Sequence, residues 1–208
     1  MSFYYLISVT INLFANINMK DKILLFKRPL NGQMGVYMEF LVQKAKAKNP
    51  EAFVQLMESQ MKNMYKVAWS YLKNDDDAAD AIQDTILTCF EKIDTLEKNK
   101  YFKTWLTRIL INKCKAMLNN RKEISMEENI LENQSWQSDY SDLEWNELLS
   151  LLDEKYRVVV LLYYAEGFKA KEISQILDVK ESTVQSRLAR AREKISKEYY
   201  PELRRDQA

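Results

Sequence analysis

Apolar positions in the middle of the chain recur every three or four residues, which is the spacing of an amphipathic helix. An uninterrupted helical pattern begins at Met38, and Asn49-Pro50-Glu51 has the features of a helix start. One face then carries Phe53, Met57, Met61, Met64, Ala68 and Tyr71. The pattern predicts a helix that continues to about Lys73, with Asn74 and Asp75 ending it and capping the next one.

Two further helices are predicted after this one. The second runs roughly from Asp76 to Lys92 and buries Ile82, Ile86 and Phe90. The third runs from about Tyr101 to Arg121. Its apolar side carries Phe102, Trp105, Leu106, Ile109, Ala116 and Met117.

The opposite side of the third helix is polar and basic. Six side chains fall within an arc of roughly 80°: Thr104, Arg108, Asn112, Lys115, Asn119 and Lys122. Cations interleaved with amides and a hydroxyl are suited to phosphate and base contacts. Tyr101, at the helix entrance, is a candidate for stacking on an unpaired base, whereas the spacing of Phe102 and Trp105 is that of core residues.

Near the C-terminus the pattern predicts two short helices joined by a tight turn. The first helix has an apolar face made by Ile173, Ile176 and Leu177. The second has an apolar seam, the face that packs inward, made by Val184, Leu188, Ala191 and Ile195. Gly167 and Asp178 occupy positions where a left-handed backbone is expected. Lys169 and Lys180 stand at the cap positions, so both starts are predicted to be weakly capped. This layout is typical of a DNA-binding helix-turn-helix.

The outer face of the last helix is basic. Side chains at its N-terminal end are placed to contact base edges in a major groove, and the later cations are placed to hold phosphates. The first group is Ser182, Thr183, Ser186 and Arg187, and the second includes Arg190 and Lys194. The alternative is a solvated basic face on an ordinary helical hairpin, but the glycine turn and the paired apolar faces favour DNA binding.

Composition supports a helical fold, since 208 residues contain only 3 Gly and 3 Pro. The net charge of +1 hides an uneven distribution. Residues 100–122 hold seven Lys or Arg and no acid, whereas residues 123–154 hold ten acids and no Lys or Arg. The expected fold is all-α, with two small helical domains joined by an acidic flexible linker. The C-terminal domain is the helix-turn-helix.

The residue inventory does not suggest an enzyme. The chain has no His and only two Cys, so we expect neither a zinc site nor a disulfide framework, and a reduced cytoplasmic setting. The run Asp75-Asp76-Asp77 is interpreted as a helix N-terminus rather than a metal site. No phosphate-binding glycine loop or nucleophile motif is present. We therefore expect no catalytic residue, metal, cofactor or small-molecule substrate.

The N-terminal stretch allows three interpretations. Residues 1–19 are uncharged and largely apolar, which permits a membrane anchor, although three Asn interrupt them. The favoured interpretation is that Met38 is the natural start and that residues 1–37 have no role in the fold. The third is a disordered or loosely packed extension.

Three segments together resemble the extracytoplasmic-function group of bacterial sigma-70 factors, from about Glu39 to Glu198. Residues 77–90 (DAADAIQDTILTCF) resemble the helix that binds core RNA polymerase. Residues 102–112 (FKTWLTRILIN) resemble the helix that recognises and opens the −10 promoter element. Residues 152–167 (LDEKYRVVVLLYYAEG) and 182–192 (STVQSRLARAR) resemble the domain that binds the −35 element.

The resemblance implies a role for each surface. The acidic face of Asp77, Asp80, Gln83 and Asp84 would dock on the polymerase. The loop 95–101, with Leu96, Lys98, Asn99, Lys100 and Tyr101, would capture an extruded −10 base. The melted strand would be held by Thr104, Arg108, Asn112, Lys115 and Asn119. Recognition of −35 DNA would fall to Ser182, Thr183, Ser186, Arg187, Arg190 and Lys194.

The implied domains are a core-binding and −10 domain at 38–122, a linker at 123–141, a −35 domain at 142–200 and a tail at 201–208. The partners implied are core RNA polymerase, promoter DNA and an anti-sigma factor. The main alternative is a conventional helix-turn-helix regulator with an N-terminal helical partner-binding domain. Such a regulator does not need both an acidic docking face and a cationic strip. A membrane-anchored signalling protein using residues 1–19 is the third possibility.

Overall fold

The computed structural model describes residues 33–124 and 147–199. The first range forms four α-helices: α1 (Gln33–Lys46), α2 (Pro50–Leu72), α3 (Asp75–Lys92) and α4 (Phe102–Ile124). Two short 3-10 turns, Ile93–Thr95 and Asn99–Tyr101, connect α3 to α4. The four helices pack on one another, and α4 contacts both α2 and α3.

The second range begins with a helical piece at 147–150 and continues with α5 (Glu154–Val160), which runs into a π-helical segment (Leu161–Ala165). It ends with α6 (Ala170–Leu177) and α7 (Glu181–Tyr199). Every regular element in the two described ranges is helical, which confirms the all-α expectation. Residues 123 and 124 of the expected linker belong to α4, and residues 125–141 lie outside the described ranges.

The starts of α2 and α3 lie at the residues predicted to cap them, whereas Lys73 ends α2 in place of the predicted Asn74 and Asp75. The Asn49 side chain accepts a hydrogen bond from the Ala52 N–H at 2.8 Å and caps α2. Lys73 ends that helix in a left-handed conformation with φ of 54°. Asn74 accepts from the Asp77 N–H at 3.0 Å and caps α3, so the three aspartates stand in the first helical turn as expected.

A continuous apolar core connects the helices. Phe102 and Leu106 are buried as predicted, but Ala116, expected on the same apolar side, is exposed. Cys114 is fully buried instead. α4 packs against α2, α3 and α6, and these contacts bury Cys114 and leave Ala116 exposed.

The first helix starts earlier than the sequence pattern suggested. α1 begins at Gln33, before the predicted start at Met38, although Val36 and Tyr37 remain 73% and 50% exposed. The apolar stretch 1–19 lies outside the described residues. Among the helices that are described, none is long and apolar enough to cross a bilayer.

Candidate nucleic-acid interface

The outer face of α4 presents most of the predicted cationic strip to solvent. Arg108, Asn112 and Asn119 are exposed, and Thr104 is half-buried. Lys115 differs from them, since its ammonium lies 3.5 Å from the Leu177 carbonyl oxygen at the end of α6. Lys122 of the predicted strip has no described side chain. Apart from Lys115, the strip residues with described side chains offer one cation, two amides and a hydroxyl, a combination suited to a phosphate backbone with adjacent bases.

The 93–101 segment lies beside this face at the start of α4. Lys98, Lys100 and Tyr101 are exposed, and the Lys100 ammonium lies 5.1 Å from the Tyr101 ring centroid. Asn99 is half-buried. Leu96 is only 4% exposed, so its side chain packs in the core and only its backbone is available to a ligand. The segment thus presents two cations and an aromatic ring on a buried leucine anchor.

The acidic residues of α3 differ in their surroundings. Asp80 and Gln83 are exposed, whereas Asp77 forms an ion pair with Arg121 of α4 and its side chain is 14% exposed. Asp84 is exposed and lies 3.7 Å from the Lys113 ammonium. Asp77 is therefore engaged within the domain, and the accessible acidic surface consists of Asp80, Gln83 and Asp84.

The C-terminal helices adopt the predicted helix-turn-helix geometry. Gly167, with φ of 71°, precedes α6, and Asp178, with φ of 56°, occupies the turn before α7. The predicted seam is buried at Val184, Leu188 and Ala191. Lys169 supplies no side-chain cap to α6, as predicted, but the Glu172 carboxylate accepts a hydrogen bond from the Lys169 N–H at 2.8 Å. This contact satisfies one donor at the helix start.

The outer face of α7 carries side chains in different surroundings, and the Ser186 hydroxyl donates a hydrogen bond to the Ser182 carbonyl oxygen at 2.8 Å. Ser182 and Ser186 at its N-terminal end are exposed, and Thr183 and Arg187 are half-buried. Arg190 hydrogen-bonds to Tyr156, which lowers the pKa of that phenol. The Lys194 ammonium lies 3.0 Å from the Asp153 carboxylate. The two later cations are thus positioned by the start of α5.

A direct contact joins the two helical units. The Lys103 ammonium on α4 lies 3.2 Å from the Glu166 carboxylate, donates to the Glu166 carbonyl oxygen at 2.6 Å and lies 4.8 Å from the Phe168 ring centroid. Neither Lys103 nor Glu166 was predicted to be a site residue from the sequence. Nothing local in the sequence links them, since they are 63 positions apart.

Three further titratable groups are buried or partly buried in the first helical unit. Burial raises the pKa of the Cys89 and Cys114 thiols to about 12, so both favour the unreactive protonated form. Burial, followed by the nearby Arg157 charge, lowers the pKa of Lys73 to about 8. In the part of the chain that the structure describes, no group of three or more Cys, Asp or Glu is arranged to hold a metal ion.

Comparison with known proteins identifies two matched regions. The family described as "Sigma-70 region 2" matches residues 56–124, and "Sigma-70, region 4" matches residues 142–195. RNA polymerase sigma factor SigV of Bacillus subtilis (strain 168) is 28% identical over 71% of this chain and 91% of its own length. ECF RNA polymerase sigma factor SigW of the same strain is 26% identical over 77% of this chain and 98% of its own.

A solved structure shares the fold. The sigma factor RpoE in complex with the anti-sigma factor NepR from Bartonella quintana matches with a TM-score of 0.63 and 24% identity. The match covers 70% of this chain and 94% of that one. With regions 2 and 4 matched in one chain and curated relatives covered over nearly their whole length, this protein belongs to the extracytoplasmic-function group of bacterial sigma-70 factors.

Proposed function

We propose that the protein is an alternative sigma factor that binds core RNA polymerase, directs it to specific promoters and melts the −10 element. The observation that carries the proposal is the presence of regions 2 and 4 of the sigma-70 family, at 56–124 and 142–195, in one chain. The protein acts as an initiation factor and supplies no catalytic group of its own. Its place of action is the cytoplasm, where the polymerase meets DNA.

Contact with the polymerase is assigned to α3. Asp80, Gln83 and Asp84 form an exposed acidic surface, and such a surface attracts a basic partner and raises its association rate. Asp77 contributes indirectly, because its ion pair with Arg121 cross-links α3 to α4. We therefore assign the direct contact to the three accessible residues and a supporting role to Asp77.

Recognition of the −10 element is assigned to the 93–101 segment and the outer face of α4. Lys98, Lys100 and Tyr101 are exposed where α4 begins, so an extruded base can meet an aromatic ring and two cations. Arg108, Asn112 and Asn119 continue the contact along the displaced strand, together with Thr104. Lys115 joins them only when α6 moves away from α4.

Recognition of the −35 element is assigned to α7. Ser182, Ser186 and the half-buried Thr183 and Arg187 lie at its N-terminal end, the part of a recognition helix that enters the major groove. Arg190 and Lys194 are assigned to phosphates. The relative RpoE is held by an anti-sigma factor in its solved complex, and we include a protein of that class among the partners of this chain.

The test is transcription in vitro with purified core polymerase on sheared DNA from the source genome. Discrete transcripts that depend on the protein are expected, and their start sites give the promoter sequence. Sequence-specific DNA binding by the protein alone, without transcripts, would instead identify a conventional helix-turn-helix regulator.

A charge reversal tests the docking surface. Asp80→Arg with Asp84→Arg should abolish co-purification with core polymerase while the protein stays folded. The matched control is Glu39→Arg with Glu147→Arg, which makes the same charge change at exposed positions outside α3. Equal polymerase binding by the two double variants would remove the α3 assignment.

A further inference from the structure

The 93–101 segment is anchored to the core of the first unit by its own apolar residues. Ile93 and Leu96 are 2% and 4% exposed and pack in the core of the first unit. Lys98, which lies between the two 3-10 turns, and Lys100 and Tyr101 of the second turn are exposed. The segment is therefore built to hold its exposed side chains at set positions on a buried base.

Helix α1 and the turn that follows it, which includes Lys48, also contact the 93–101 segment. The Lys46 ammonium donates a hydrogen bond to the Leu96 carbonyl oxygen in a partly buried position. The Lys48 ammonium lies 2.5 Å from the Asp94 carboxylate. The Asn99 side-chain amide donates to the Glu39 carbonyl oxygen at 3.4 Å. These three contacts span 46 to 60 positions of sequence, and α1 also packs against both 3-10 turns.

The contacts are not equal in strength. Lys48 and Asp94 are more than half exposed, and an exposed ion pair is weak because water screens it. The Asn99 contact is exposed and long. The Lys46 contact is partly buried and charge-assisted, which makes it the strongest of the three. Its acceptor is a backbone oxygen between the two turns, so it restrains the path of the chain there.

We propose that Lys46 is a positioning residue for −10 recognition, which holds the 93–101 segment in the conformation that receives the extruded base. It acts through the Leu96 backbone and touches no DNA. The inference rests on the proposed function, which assigns −10 contacts to this segment. Its physical basis is preorganisation: a recognition loop that is already ordered loses less conformational freedom when it binds.

The test compares holoenzymes that carry Lys46→Met, Lys46→Arg and Lys44→Met in the full-length chain. Methionine keeps an unbranched stem but cannot donate, whereas arginine can. Lys44 is the matched control on the same helix, since its ammonium lies over the Phe40 ring at 4.7 Å. The readout is the ratio of transcripts from matched and −10-mismatched promoters, measured beside the same ratio for −35 mismatches.

Lys46→Met should lower the ratio of transcripts from matched and −10-mismatched promoters (the −10 ratio) about fivefold. This change is within the range that a single base mismatch produces. Lys46→Met should leave the −35 ratio unchanged, and Lys46→Arg should restore the −10 ratio. Trypsin should also cleave Lys46→Met faster than Lys44→Met after Lys98 and Lys100. An equal −10 ratio in Lys46→Met and Lys44→Met would overturn the proposal, as would an equal loss of both ratios, which indicates a general folding defect.

Tyr101→Ala separates this failure from failure of the underlying assignment. If Tyr101→Ala lowers the −10 ratio and Lys46→Met does not, the segment contacts the promoter but Lys46 does not position it. If neither Tyr101→Ala nor Lys46→Met lowers the −10 ratio, the assignment of −10 recognition to this segment is wrong. The proposed positioning role of Lys46 is then wrong as well.

Discussion

Lys103 of α4 and Glu166, which follows the π-helical segment, form an ion pair at 3.2 Å across the junction of the two helical units. The Glu166 side chain is only 4% exposed, so the carboxylate depends on Lys103 for compensation of its charge. Lys103 neighbours Thr104 on the helix that we assign to −10 DNA. The contact therefore couples the position of the C-terminal unit to the −10 helix.

Replacing Lys103 should weaken this junction. Lys103→Met leaves a buried carboxylate without its cation, and the expected cost is about 1–3 kcal/mol, at the lower end for a donor that is partly exposed. Glu166→Gln keeps a hydrogen-bonding side chain and should cost less. Urea unfolding of the full-length protein, with a fluorescence probe in each unit, measures the change.

The double variant provides the internal control. Lys103→Met with Glu166→Gln should be more stable than the sum of the single losses predicts, because no charge is then left buried alone. Strict additivity would mean that the pair contributes nothing to the junction.

The Asn49 cap should be important for the stability of the first unit. Asn49→Ala removes the acceptor for the Ala52 N–H and should lower the free energy of unfolding by about 1 kcal/mol. Asn49→Asp retains an acceptor and is the matched control. Equal midpoints for these two variants in urea unfolding would show that the cap contributes nothing measurable.

Lys73 should give the protein a specific dependence on pH. Its pKa is lowered from 10.5 to about 8 in the folded protein, first by burial and then by Arg157. Below about pH 8 Lys73 is charged in both the folded and the unfolded protein. Burial of that charge then lowers the free energy of unfolding by its full amount. As pH rises from about 8 to 10.5, the folded state loses the proton first, so this cost is progressively removed.

The measurement is a comparison with Lys73→Met. Between about pH 8 and 10.5 the wild-type protein should gain stability relative to Lys73→Met, and the difference should be constant below that range. The tyrosines and thiols titrate in both proteins, so their contributions to the pH dependence of stability cancel in the difference. A difference that stays flat up to pH 10.5 would mean that Lys73 keeps its ordinary pKa.

The sequence predicted the local features of this fold far better than the contacts between distant segments. Asn49, Asn74 and Gly167 each set a helix boundary through neighbouring backbone, so their roles follow from local spacing. The junction of Lys103 with Glu166 and the contact of Lys46 with Leu96 join positions 63 and 50 residues apart. No helical periodicity encodes such pairs.

The same limit explains the differences found at the candidate site. The family resemblance placed Leu96, and helical periodicity placed Lys115, among the DNA-contacting residues, but Leu96 anchors the segment in the core and Lys115 points to the end of α6. Which side of an amphipathic helix remains accessible depends on every element that packs against it. For α4 that includes α6, which lies beyond the acidic linker in the sequence.

Arg187 and Arg190 should separate base recognition from phosphate binding on α7. Arg187 lies in the N-terminal half of the helix, and Arg187→Ala should reduce discrimination between matched and mismatched −35 elements by about 1–3 kcal/mol. Arg190 is three positions further along, where we assign phosphate contact. Arg190→Ala should therefore weaken binding to all sequences alike and leave the discrimination ratio intact.

Holoenzyme binding to a set of single-base −35 variants measures both quantities at a fixed salt concentration. Arg187 lies near the Tyr71 side chain of α2 in this structure, so the assay is performed with holoenzyme, in which the C-terminal unit is engaged on polymerase and DNA. Equal effects of the two variants on the ratio would show that α7 does not discriminate bases through Arg187. The −35 preference would then have to come from Ser182, Thr183 or Ser186, whose short side chains contact base edges only when the helix lies deeper in the groove.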